Sequence, residues 1–243
     1  MHDYTMTLAG REIPCSFRFA ETAHLFGPWI TGPAHGSVRF SVLPEDWAFW
    51  PETGKPSDAE AEYSMFSSAA STALLPEKCC VIHAVAFRHR DRAWLISAPP
   101  GVGKSTQIRN LQELRPGEFS VISGDRPILE ALDNDSVLVR PSPWNGKENW
   151  HGADAALLAG VILLRRGEQN SIAPCAKEDA VIPVYTSLFH SGETPEILKQ
   201  AAAMAAAVLN SAPVWTLTTF CVPDSTCLLY ETLFSEEDGS HGL

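Results

Sequence analysis

The chain has 243 residues, 45% of them hydrophobic, 19% charged, and a formal net charge of −11. That length and apolar content suit one medium α/β domain with a proper core. The acidic balance argues against a nucleic-acid backbone as partner, because such a partner calls for a basic face.

Residues 1 to about 50 carry short alternating runs broken by Gly and Pro, as in Tyr4–Leu8 before Ala9-Gly10 and in Ser37–Val42. They predict antiparallel strands and hairpins. Residues 51–58 read as a loop, and Ala59–Leu75 has helical spacing that stops before Pro76. Residues 1–78 are thus expected to form a β-rich layer plus one helix, packed on a nucleotide-binding unit spanning 79–243.

Cys79-Cys80 is expected to be a buried pair at a strand start, with the strand continuing over Val81–Phe87. A charged turn, Arg88–Arg92, leads to the strand Ala93–Ser97, then a glycine-rich turn and a helix, Ser105–Leu114, halted by Arg115-Pro116-Gly117. Phe119–Ser123 is a further strand ending at Gly124-Asp125-Arg126, and Ile128–Leu132 with Ser136–Val139 forms a hairpin. Pro141–Trp150 is too rich in turn formers to be regular, and a long loop inside a compact domain is often functional. Ala155–Leu164 reads as a short helical start running into a strand, closed by Arg165-Arg166 as a solvated turn. Helices are expected at Lys177–Phe189 and Pro195–Leu209, strands at Val214–Leu217 and Cys227–Leu229, and a loose end over Ser235–Leu243.

Met1-His2-Asp3-Tyr4 has no basic region leading into an apolar core, so no signal peptide is expected. The run Ala201–Leu209 is too short and alanine-rich to span a bilayer, so no membrane partner is expected either. The six cysteines form no Cys-x-x-Cys pair and lie near no histidine at zinc spacing, which reads as a reducing, cytoplasmic compartment.

The chemistry concentrates at Trp94–Thr106. A short apolar run enters Ala98-Pro99-Pro100-Gly101-Val102-Gly103, and Lys104-Ser105-Thr106 opens an amphipathic segment: strand, phosphate loop, helix. Successive N–H groups in such a turn enclose an anion, and the helix adds its positive end. The nucleotide-binding stretch is Pro100, Gly101, Val102, Gly103, Lys104, Ser105 and Thr106. Lys104 would reach the β and γ phosphates, and the Ser105 hydroxyl would sit on Mg²⁺. The full pattern begins with Gly where this chain has Ala98, and neither proline can donate, so the donors begin at Gly101. A local electropositive pocket in an acidic molecule favours ATP complexed to Mg²⁺ over a bare polyanion.

Asp125 closes the strand after the loop's helix, at the end where ligands bind in α/β sheets. It can hold Mg²⁺ or take a proton from an attacking hydroxyl, or it caps its own turn before Pro127. His83, flanked by Ile82, Ala84 and Val85, reads on its own as a core histidine. Arg126 contacts substrate or pairs with an acidic neighbour. Around Trp144, Asn145 and Lys147 two roles stand side by side. Lys147 neutralises phosphate and Trp144 walls out water, or Trp144 and Trp150 anchor the loop on the core.

The order His83-Ala84, Gly101-Val102-Gly103-Lys104-Ser105, Gly124-Asp125-Arg126 resembles the catalytic domain of the HPr kinase/phosphorylase family, whose nucleotide core is shared with the phosphoenolpyruvate carboxykinases. The resemblance implies a mixed sheet flanked by helices. It also implies metal-holding, proton-accepting aspartates and a histidine beside the reacting phosphate. Asp125 takes the place of the second aspartate, and Gly124 stands where the first would be. The family's later Arg-Gly-x-Gly-Ile stretch is not recognisable, nor is its amino-terminal sensor domain in residues 1–80. Ser142–Lys147 resembles a loop of small relatives of these kinases.

The resulting expectation is an ATP- and Mg²⁺-dependent kinase with catalytic Asp125, His83 and Lys104 and with metal on Ser105 and Asp125. Its acceptor would be a serine or threonine hydroxyl of a peptide or small protein, and a second copy of the chain is a further candidate partner. Two rivals remain: an ATP-binding regulator without phosphotransfer, for which Ala98 and Gly124 speak, and a small-molecule kinase.

Overall fold

A computed structural model describes residues 1–34, 41–42, 56–152 and 154–235. Strands β1 (His2–Leu8) and β2 (Arg11–Phe17) form the expected first hairpin. Ala9 and Gly10 join them, both at positive φ (51° and 74°), the conformation that matches strand twist in a two-residue turn. Most of the strand expected at Ser37–Val42, most of the 51–58 loop and nearly all of the loose end lie outside the described residues.

Two elements in this layer left no periodic signal because they are so short: the helix α1 (Ala20–Phe26) and the strand β3 (Ile30–Pro33), which pairs with β1. The helix α2 (Asp58–Leu74) begins on a capping box. The Ser57 hydroxyl accepts from the Glu60 N–H at 3.3 Å, and the Glu60 carboxylate accepts from the Ser57 N–H at 2.8 Å. Phe17, Phe26, Phe66 and Trp144 pack between the three-stranded sheet and α2, with Phe17 and Phe66 centroids 4.6 Å apart and Phe26 edge-on to Trp144.

Fully buried Glu62 of α2 ties this layer together. Its carboxylate accepts from the N–H groups of Arg18 (2.6 Å) and Phe19 (3.2 Å) and from the Thr22 hydroxyl (2.5 Å). Glu62→Ala removes the acceptor that all three share and is expected to lower stability by about 3 kcal/mol. A urea unfolding midpoint equal to that of the wild type would contradict this.

The main sheet runs β4 (Cys79–Val81), β8 (Ile128–Ala131), β9 (Val137–Arg140), β10 (Ala156–Arg166), β6 (Arg92–Ser97), β5 (Val85–His89), β7 (Phe119–Ser123). β12 (Val214–Thr219) also pairs with β10, and β11 (Ser171–Pro174) closes that edge. β6, β10 and β12 are parallel and the other pairings antiparallel, so the sheet is mixed. Alternate residues feed opposite faces. Val85, Phe87, Ile96 and Ile162 pack under α3 (Lys104–Leu114) and α6 (Val222–Leu233), whereas Ala84, Ala86, Leu95 and Val161 pack under α4 (Lys177–Ser187) and α5 (Pro195–Ser211). The architecture is a mixed α/β sheet flanked by helices, and Cys79 and Cys80 are buried in it as expected. Among the described residues no helix is long and apolar enough to cross a membrane.

Three expectations are corrected. The strand expected over Val81–Phe87 breaks at Ile82–Ala84, because those N–H groups bond to three separate carbonyls, Pro127, Ser187 and Asp125, instead of one partner strand. The helical start expected at Ala155 is absent, since β10 is extended from Ala156. Its continuous apolar run reflects burial between β6 and β12. Cys227–Leu229 lies inside α6, not in a strand. That helix turns a polar face inward, where Gln107 of α3 donates to Ser225 at 2.7 Å and accepts from Thr226 at 2.6 Å, and this masks its period.

Candidate functional site

β6 ends at Ser97, and the chain turns through Ala98–Gly103 into α3, so the glycine-rich stretch does link a strand to a helix. Gly101 and Gly103 sit at φ of +77° and +120°, with nothing near enough to obstruct a side chain. Backbone conformation, not space, is what calls for glycine there. From Gly101 onward the N–H groups and the positive end of α3 are available to an anion. Arg166 at the end of β10 donates to the Gly101 carbonyl at 2.8 Å and braces the turn. It is exposed, as the sequence predicts, but belongs to the strand end and not to a turn. The rule that ligands gather at carboxyl ends of strands is the signal that would have found it.

Lys104, the first residue of α3, is almost buried. Its ammonium lies 2.9 Å from the Ala98 carbonyl and 3.0 Å from His83 Nε2. His83 sits in the bend after β4, not on a strand. Its N–H bonds to the Ser187 carbonyl, and the N–H of Ala84 bonds to that of Asp125. This pins His83 beside Asp125, with Nε2 and Oδ1 3.5 Å apart. Unprotonated, Nε2 accepts from Lys104; protonated, it faces the Asp125 carboxylate. One imidazole nitrogen therefore connects the loop lysine to the acid.

Asp125 follows β7, which runs in the same direction as β6 with antiparallel β5 between them, so both carboxyl ends open on one sheet edge. Burial pushes the Asp125 carboxyl up. The hydrogen bond with His83 and the charges of Arg126, His83 and Lys104 outweigh it and hold the group below its ordinary value. It is ionised at neutral pH. Burial likewise pushes the Lys104 ammonium down, against the opposing pull of Asp125.

Arg126 is engaged on every side. It donates to Asp125 Oδ2 at 3.1 Å, to the Ser64 carbonyl and hydroxyl at 2.8 and 3.1 Å and to the Ser67 hydroxyl at 2.9 Å, and it lies over the Phe189 ring. The pairing reading fits it better than substrate contact. Trp144 is buried, with Nε1 donating to the Tyr63 carbonyl at 2.8 Å, so it anchors its loop on α2. Asn145 is buried and bonded to the Pro143 carbonyl and to His151, while its Oδ1 has no partner. Lys147 is exposed on the cavity rim, and Arg109 of α3 ties the loop down through an ion pair with Glu148.

All the candidates except Val102 line one cavity of about 720 Å³; Val102 packs toward the core under α3. Tyr63 and Ser64 of α2 also line it, and sequence reading gave no sign of them, because their place depends on packing between distant segments. Ser105 and Asp125 bring a hydroxyl and a carboxylate to the same cavity. Mg²⁺ is commonly held by one or two carboxylates plus phosphate oxygens, so this donor set fits it. The described residues contain no cluster of three or more acidic, histidine or cysteine side chains able to hold a metal alone.

At Gly124 the acid carried by the resembling family has no room. A Cβ would meet the Asn145 carbonyl oxygen at 2.5 Å and Trp150 Cβ at 3.2 Å. Gly124→Ala should push the 144–150 loop outward and lower stability by about 1–3 kcal/mol. A melting temperature and activity both at the wild-type level would show that the loop gives way freely.

No family model and no curated protein matches this chain. Among solved structures, the Hpr(Ser) kinase/phosphatase from Coxiella burnetii is similar with a TM-score of 0.37 and 14% identity, over 63% of this chain and 92% of that one. The functional reading therefore stands on the cavity and its residues.

Proposed function

We propose that this protein is an ATP-dependent kinase that transfers the γ-phosphoryl group to a hydroxyl, with ATP·Mg²⁺ on the Gly101–Thr106 loop. The observation that carries the reading is the contact chain Lys104–His83–Asp125 at the mouth of a glycine-rich turn, inside one cavity. A loop lysine marks the β/γ end of a bound triphosphate, and an ionised aspartate beside it is placed to receive a proton.

The acceptor oxygen bonds to the γ-phosphorus. The bond from that phosphorus to the β–γ bridging oxygen breaks, its electron pair staying on ADP. The hydroxyl proton passes to the Asp125 carboxylate. Lys104 offsets charge on the moving phosphoryl group, Arg126 fixes the carboxylate, and Lys147 adds positive charge at the rim. Mg²⁺, held by Ser105 and Asp125, would neutralise β and γ phosphate charge. The site asks for positioning and electrostatics more than covalent chemistry. By resemblance alone, the hydroxyl belongs to a serine or threonine of a peptide or small protein.

A second reading, an ATP-binding regulator, is favoured by one observation: Gly124 leaves the site a single aspartate where the resembling family has two. Incubation with γ-labelled ATP, Mg²⁺ and fractionated cell extract separates the two. The kinase reading expects label in a new phosphomonoester; ATP bound with no label transferred would favour the regulator.

A further inference from the structure

A second cavity, of about 690 Å³, adjoins the first at His83. It lies over the carboxyl-terminal ends of β6 and β10 and is walled by β11 and α4, with Leu163, Leu164, Pro174 and Pro183 among its lining. The two cavities divide the phosphate loop: Ala98 and Pro99 line the second, whereas Pro100 and the residues through Thr106, apart from Val102, line the first.

That division gives the bound triphosphate a direction. The N–H groups of the loop cradle the α and β phosphates, and the lysine ammonium marks the β/γ end. Here the ammonium rests against the Ala98 carbonyl and His83, and both residues line the second cavity. In phosphoryl transfer the attacking oxygen arrives roughly opposite the leaving oxygen. Lys104 and Asp125 line the first cavity, and the second opens beside the β/γ end, at His83.

We propose that this second cavity is the acceptor pocket and that the acceptor is a compact hydroxyl compound with an apolar body. The proposal rests on the kinase reading above. The volume is that of a small-molecule site, not of a protein-docking face. Leucines, prolines and alanines make up much of the wall, and the Thr186 and Ser187 hydroxyls donate to carbonyls of their own helix, at 2.8 Å (Ile182) and 2.7 Å (Val184), while Arg165 and Asp179 add one charge of each sign. Such a body comes from a free small molecule or from a hydroxyl-bearing residue with apolar neighbours in a short peptide. His83, at the junction, faces both the acceptor and Asp125.

The test narrows the cavity without touching the phosphate loop. Ala173 is exposed on edge strand β11, where tryptophan suits a strand, and Ala176 offers a second exposed position at the α4 side. A173W and A176W are compared with wild type in two assays. ADP·Mg²⁺ is titrated by calorimetry. Label transfer from γ-labelled ATP is measured to a low-mass cell extract and, separately, to a tryptic peptide digest of the same cells.

The expected result is ADP affinity within about twofold of wild type, with labelled product at low acceptor concentration reduced about tenfold or more. The arm that carries label identifies the source. An ADP affinity reduced about tenfold in both variants would make the cavity the nucleoside pocket and overturn the proposal. Undiminished label in both folded variants would show the cavity to be idle. Wild-type protein that binds ADP and labels nothing in either arm would instead retract the kinase reading, and this assignment with it.

Discussion

Asp125→Asn should lower phosphoryl transfer by about 10²–10⁴-fold, the usual contribution of a positioned proton acceptor, while ATP still binds. Asparagine keeps the size and the hydrogen bond from Arg126 but cannot take the acceptor's proton. The substitution also removes the negative charge that faces His83 and Lys104. Quenched-flow measurement of labelled product, beside calorimetric ATP binding, separates chemistry from affinity. Full turnover in the variant would remove Asp125 from the role of base.

Lys104→Met should separate function from stability. In the free protein the ammonium is nearly buried, and its desolvation is only partly offset by Asp125 and by the Ala98 carbonyl. Methionine fills the same space without that penalty. The melting temperature of the unliganded variant should therefore hold or rise. The stabilisation that wild type gains from ATP·Mg²⁺ should vanish, and transfer should fall by about 10³-fold or more. A variant that still gains the full ATP-dependent shift would mean the triphosphate lies elsewhere.

The parts of the site readable from sequence are those fixed by neighbours along the chain. Gly101 and Gly103 between an apolar run and Lys104 announce the turn, because the conformation they supply is local. Asp125 is legible from its place after a strand. The position of His83 is not legible from its own neighbours, since three carbonyls from Pro127, Ser187 and Asp125 pull that segment out of a strand, and only the family resemblance points to it. Tyr63 and Ser64 reach the loop region from a distant element, and nothing in their own sequence context says so, whereas Arg166 carries only the general signal of a strand's carboxyl end. Arg126 was visible as a residue; its engagement depends on Ser64 and Ser67 across the fold. The helix α6 was hidden for a related reason. Its inward face is Ser225 and Thr226, satisfied by Gln107, so a hydrophobic period could not reveal it.

On the kinase reading, the cavity around Lys104 and Asp125 moves the γ-phosphate of ATP onto a hydroxyl. Phosphorus NMR of wild-type protein with ATP, Mg²⁺ and a low-mass cell extract follows both sides of that exchange in one tube. The γ resonance should be lost, matched mole for mole by a new phosphomonoester, and neither change should occur with Asp125→Asn. ATP left unconsumed, or released only as inorganic phosphate, would contradict it.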